Sequence, residues 1–124
     1  KANNGIGDCD YGDMFRAKVM SKYSILSLNC FMTHKNTFEE LGRFNKHFSL
    51  SFAAADYCLK LRMHGKRCVM QASTVWESKG SMKTGIINDE ERERFYKEWQ
   101  EVLRMGDSYY NSNYAKQGAL YILE

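Results

Sequence analysis

S-F-A-A-A-D-Y-C-L-K-L-R-M-H-G-K-R-C-V-M, residues 51–70, decides the fold class. Ala54, Tyr57, Cys58 and Leu61 recur at the i, i+3, i+4, i+7 spacing that lines one face of a helix, so the pattern predicts a helix over residues 53–64. Lys60 and Arg62 fall on its other faces. Gly65 stands where a helix ends in a left-handed residue, and the apolar run 68–70 reads as a short strand. A helix that passes through one glycine turn into a strand is a unit of α/β architecture.

Working back toward the N-terminus, Asn36 is placed to cap a short helix, with Glu39 reaching back to the cap and Gly42 closing it. Residues 25–33 alternate. Leu26, Leu28, Cys30 and Met32 point one way and Ser27, Asn29, Phe31 and Thr33 the other, which predicts a half-buried or fully buried strand. Residues 13–23 are compatible with a helix, and the Gly-, Asn- and Asp-rich residues 1–12 read as a loop. Toward the C-terminus, residues 74–76 form a second short strand and 77–88 a loop. One long helix is expected over 89–104. Asn88 caps it, Asp89, Glu90 and Glu91 suit its positive end, and Phe95, Trp99, Val102 and Leu103 make its apolar stripe. The aromatic-rich tail is expected to dock on the body.

A length of 124 residues fits one domain, and a domain of this size has little stability to spare. The formal net charge is +3, too small an excess to argue for nucleic acid or an anionic membrane. There is no apolar run near the roughly 18 residues a membrane helix needs, and no signal peptide is expected. The chain opens on Lys1, which fits a processed protein or an excised piece. Cys9, Cys30, Cys58 and Cys68 include no C-x-x-C pair. They read as free thiols, with Cys30, Cys58 and Cys68 in apolar segments expected to be buried, in keeping with a reducing compartment such as the cytoplasm.

Residues 29–48, N-C-F-M-T-H-K-N-T-F-E-E-L-G-R-F-N-K-H-F, together with residues 51–70, resemble the second half of a bacterial family-2 glycosyltransferase domain. In that family a strand leads into x-F-E-E-x-G-G-F-D. An acidic motif then opens a helix of the form D-x-C-L-R-L-R-x-x-G-Y-R, followed by a strand and a histidine-bearing loop. F-Y-K-E-W-Q-E-V-L-R-M-G-D-S-Y-Y-N-S-N, residues 95–113, is similar to the C-terminal extension of transferases that build polysaccharides, and G-I-G at residues 5–7 fits the family's middle loop. The likeness is closest over residues 29–79 and reaches nearly the whole chain. It implies an α/β chain carrying part of the GT-A fold, the nucleotide-diphospho-sugar transferase fold, with a small mixed sheet and flanking helices. Residues 1–124 would be one acceptor-side domain, with 89–124 as its helical extension. The half of the family domain that binds the nucleotide and holds a divalent metal, Mg or Mn, has no counterpart here. No cofactor is therefore expected in this chain. A nucleotide sugar and a glycan acceptor are the implied partners, and a strand edge left open by the missing half invites homodimerisation.

Inverting sugar transfer needs a carboxylate to take the acceptor proton and positive charge to stabilise the departing diphosphate. The resemblance places the base at Ala54, next to Ala53, and an alanine methyl accepts no proton. Natural loss and deliberate replacement are both open at this point. Asp56 is retained, either as an acceptor contact or as a helix-start carboxylate. Trp76 can stack on a sugar ring or fill a core, and Glu77 is an acceptor ligand or a solvated loop carboxylate. Lys79 and Lys83 fall where relatives contact the diphosphate, and otherwise read as surface lysines. His34, His47 and His64 have no metal-ligand spacing, and no Gly-rich phosphate loop or nucleophile elbow is present. The expectation is a glycosyltransferase-like chain that is inactive alone. The alternative is a carbohydrate- or protein-binding module descended from one.

Overall fold

A computed structural model describes residues 18–73 and 88–109. The element order is β1 (Ser21–Tyr23), α1 (Lys35–Glu40), α2 (Leu50–Met63), β2 (Cys68–Met70), α3 (Asp89–Glu98) and α4 (Gln100–Arg104). The protein is thus a small mixed α/β structure. Among the described residues its sheet is one antiparallel pair, with Ser21 opposite Met70, Lys22 opposite Val69 and Tyr23 opposite Cys68. The loop expected over 1–12, the strand at 74–76, most of the 77–88 loop and the tail from 110 lie outside the described residues.

Helix α2 organises the rest. Seven consecutive residues, Ala53 to Leu59, are buried, as is Leu61. A helix covered on nearly all sides belongs to a core rather than a surface. One face carries Ala53, Ala55 and Leu59 into a cluster with Phe48, Phe95, Trp99 and Val102. The other carries Tyr57, Cys58 and Leu61 onto Cys68, with Leu26, Phe31, Phe38, Leu41 and Phe44 packed around them. The apolar stripe in the sequence marks the second face. The first face needed the partner residues 95–102 before it could be recognised. The helix also begins earlier than expected, at Leu50, because Ser49 accepts from the Ala53 amide at 2.8 Å and Phe52 packs on Phe95 with ring centroids 4.9 Å apart.

Both α1 and α2 end in the same hydrogen-bonded turn. Gly42 and Gly65 have φ of 79° and 68°. Gly65 N–H donates to Arg62 O at 3.0 Å and Lys66 N–H to Leu61 O at 2.9 Å. Gly42 N–H reaches Glu39 O at 3.1 Å, and Arg43 N–H reaches Phe38 O at 2.9 Å. The paired bonds satisfy the last carbonyls of each helix. A Cβ at position 65 would meet no atom within 4 Å, so Gly65→Ala isolates the backbone cost. It is expected to lower the unfolding free energy by about 1 kcal/mol. An unchanged urea midpoint would contradict the left-handed turn.

Five expectations need correction. Residues 25–33 form no strand. Cys30 is exposed and Met32 is 96% exposed, while Leu26 and Phe31, predicted on opposite faces, pack against the same cluster. Local and side-chain bonds replace a ladder. Asn29 N–H donates to Ser27 Oγ at 3.3 Å, Leu26 N–H to Cys58 Sγ at 3.5 Å, and the Thr33 and Tyr57 hydroxyls are 2.9 Å apart. Such bonds offer a backbone an alternative to strand pairing. The same exposure removes Cys30 from the buried thiols.

Asn36 does not cap α1. The cap position is His34, with no side-chain bond, because Phe38 N–H already bonds His34 O at 2.9 Å and its ring packs on Phe44 and Tyr57. Glu39 faces Arg43 at 3.6 Å instead. Residues 21–23 of the segment read as compatible with a helix are strand β1, drawn into pairing with β2 far along the chain. Finally, the long helix of residues 89–104 is broken at Trp99, whose φ is −106° and ψ 14°. Its predicted start holds: Asn88 Oδ1 accepts from Glu90 N–H at 3.2 Å. Its predicted apolar stripe does too, with Phe95, Trp99 and Val102 buried and Leu103 packed beside them.

Candidate functional site

Asp56 sits in the middle of α2 with no exposed surface. A buried carboxylate needs partners to offset its lost hydration, and it has two. The Trp99 indole N–H donates to Oδ1 at 3.1 Å. The Lys60 ammonium, one helical turn on, lies 2.6 Å from Oδ2. Lys60 approaches too obliquely to count as a directed hydrogen bond to Oδ2, so the attraction is that of an ion pair. Its side chain keeps 25% exposure, leaving the stem packed and the head near water. The bridge joins α2 to the Trp99 break between α3 and α4. Two further contacts hold the same elements: Glu91 Oε1 accepts from Ser49 N–H, and the Arg62 guanidinium donates to Gly106 O at 3.3 and 3.4 Å and to Ser108 Oγ at 3.0 Å.

Ala53 and Ala54 are 5% and 4% exposed. A cavity lies at the opposite end of α2, where Gly65, Lys66 and Arg67 face Met20, Ser21 and Lys22, about 15 Å along the helix axis from Ala54 at the α-helical rise. Trp76, Glu77, Lys79 and Lys83 lie outside the described residues. The structure therefore brings Ala54 and Asp56 together inside a core. His34, His47 and His64 are all exposed.

Among the described residues no three His, Cys, Asp or Glu side chains converge to hold a metal ion. Nor is any helix among them long and apolar enough to cross a membrane.

Sequence reasoning missed a thiol pair. Cys58 on α2 is fully buried and Cys68 at the start of β2 is 7% exposed. The two side chains pack in one cluster, and Leu26 N–H donates to Cys58 Sγ at 3.5 Å. The neighbouring Cys68 side chain, opposed by burial and helped by the Leu26 amide, lowers the Cys58 thiol to about 7. The Cys58 side chain, burial and the charge on Cys58 push Cys68 well above the ordinary thiol range. The signal was present in the sequence. Cys58 lies on the α2 stripe that faces the following strand, and the Gly65 turn returns the chain to it.

Compared with known proteins, the chain matches no family model, no curated protein and no solved structure.

Proposed function

We propose that the chain is a glycosyltransferase-related module of the family-2 type, corresponding to the acceptor-side part of a GT-A fold, and that it binds glycan without catalysing transfer. The order of α2, the Gly65 turn, Lys66, Arg67 and β2 supports the relationship, since D-Y-C-L-K-L-R-M-H-G-K-R occupies that unit. The observation that carries the non-catalytic part is the Asp56 carboxylate. It is the acid retained from the motif, and it is sealed from solvent and held by Trp99 and Lys60. A general base must come within hydrogen-bond reach of the proton it removes, and Asp56 offers no free oxygen to an acceptor. In this reading the acceptor contacts fall to Trp76 and Glu77, and any diphosphate contact to Lys79 and Lys83. The work is cytoplasmic, and two copies associate through a strand edge.

Calorimetric titration of the whole chain tests the proposal. Oligosaccharides are expected to bind, with binding lost in Trp76→Ala, and sedimentation of the same samples is expected to show a dimer. Nucleotide-diphospho sugars with Mn are expected to give no metal-dependent heat and no transfer. Turnover of a nucleotide sugar by the unmodified chain would overturn the non-catalytic reading. Absence of any glycan binding would remove the glycosyltransferase relationship as the explanation of the sequence.

A further inference from the structure

We infer that the cavity beside the Gly65 turn is a binding site for a phosphorylated ligand, with Lys22, Lys66 and Arg67 holding the phosphoryl group. This site stands apart from Lys79 and Lys83 and is independent of any role in sugar binding. The ladder builds it. Strand β1 runs half-buried, exposed, half-buried, and β2 runs buried, exposed, half-buried. Lys22 and Val69, opposite each other in the register, therefore share the outer face. Arg67, two residues before Val69, continues that face, and Lys66 joins it from the turn that ends α2. All three cations are exposed and line one cavity of about 500 Å³. Among the described residues no acidic side chain lines that cavity, and the ion pairs lie elsewhere, at Arg43, Lys60 and Arg92.

A concavity lined by charge of one sign draws in counter-ions. The end of α2 favours cations and by itself accounts for Lys66 and Arg67. It does not account for Lys22, which strand pairing brings from much earlier in the chain. The helix end repels an anion little, because the Lys60, Leu61 and Arg62 carbonyls already accept from the His64, Gly65 and Lys66 amides. A phosphoryl group offers three strong acceptor oxygens, one for each cation, whereas a carboxylate offers two. The Arg67 guanidinium supplies a flat fork of donors and the lysines supply compact charges. The space over Gly65 is open, since a Cβ there would meet no atom within 4 Å. Met20 and Val69 add an apolar wall, and the volume suits a small organic ligand, which favours a phosphate ester over bare phosphate. Soluble phosphate monoesters and the headgroup of phosphatidic acid share this chemistry.

The test uses the full chain, isotopically labelled and titrated with phenyl phosphate while its amide resonances are followed. In a second arm the chain is sedimented with phosphatidylcholine vesicles that carry phosphatidic acid. Saturable shifts centred on residues 20–22 and 65–69 are expected with phenyl phosphate. Arg67→Ala is expected to weaken binding about tenfold, the loss of one hydrogen-bonded charge, and added salt should weaken it further. Lys22→Ala, Lys66→Ala and Arg67→Ala combined should abolish it. Lys46→Ala, at an exposed lysine elsewhere, should leave it unchanged. The shift map of the unmodified chain stands even where the combined variant folds poorly. Binding of phenyl phosphate without sedimentation assigns a soluble ester as the ligand, and sedimentation that is lost in the combined variant assigns the lipid headgroup. No saturable shift and no sedimentation would overturn the inference. So would shifts centred elsewhere in the chain, sedimentation alone that survives the combined variant, or an equal loss in Lys46→Ala, which would reduce the effect to general surface charge.

Discussion

Tyr57→Ala is expected to lower the unfolding free energy by about 4 kcal/mol, within the range for truncating a large buried aromatic side chain. That is a large share of the roughly 5–15 kcal/mol that holds a domain of ordinary stability. Tyr57 has no exposed surface. Its ring stands edge-on or tilted to Phe31, Phe38 and Phe44, with centroids 5.7, 5.5 and 5.5 Å away. Its hydroxyl lies 2.9 Å from that of Thr33. Residues 25–34 have no ladder of their own, so these contacts are what fix that segment and α1 against α2. Truncation leaves a cavity at the meeting point of three stretches of chain, and the nearby Cys58 and Leu61 lose neighbours as well. Tyr57→Phe keeps the ring and removes only the hydroxyl contact, at a cost of about 1 kcal/mol. Urea unfolding followed by tryptophan fluorescence separates the two. Equal midpoints for the variants would mean that the ring is not what organises this face.

The second large effect is expected at Lys60. Lys60→Met leaves the sealed Asp56 carboxylate with only the Trp99 N–H, and breaking a buried pair from one side costs about 3–5 kcal/mol. The partial exposure of Lys60 places the expected loss near the lower end, at about 3 kcal/mol. Asp56→Asn in the same chain should recover most of it, because the carboxamide oxygen still accepts from Trp99 and no buried charge remains. The coupling between the two changes is therefore expected at about 2 kcal/mol in a double-mutant cycle. Additive losses would show that Lys60 and Asp56 are not paired in solution. The cycle also guards against a misreading. An Asp56 variant that lost ligand binding would first have to be shown to be folded, since this carboxylate holds three helices together.

The features legible in the sequence were those set by neighbours within a turn or two. The α2 stripe, the stop at Gly65, strand β2 and the Asn88 cap all depend on residues a few positions apart, and all are found where the pattern places them. What failed depended on distant partners. Residues 25–33 alternate as a strand would, yet Leu26, Phe31 and Thr33 bond or pack onto α2, with Leu26 32 residues from Cys58. Strand preference reflects packing context more than the backbone itself. The break at Trp99 is unreadable without Asp56, 43 residues earlier. At the candidate site, Asp56 was recognisable as a helix carboxylate, but its enclosure by Trp99 was not. Ala54 was recognisable as a departure from a motif, while its burial follows from α2 being covered on both faces.

That double covering has a consequence for how the chain comes into being. The residues that shield one side of α2 are made long after it. Leu26 to Phe44 precede the helix and are ready to receive Tyr57 and Cys58, whereas Ala53, Ala55 and Leu59 must wait for Phe95, Trp99 and Val102. At about 5–20 residues per second, a ribosome needs roughly 2 to 9 seconds to supply that stretch. During this interval a greasy flank, with the Asp56 charge at its centre, faces whatever else is nearby.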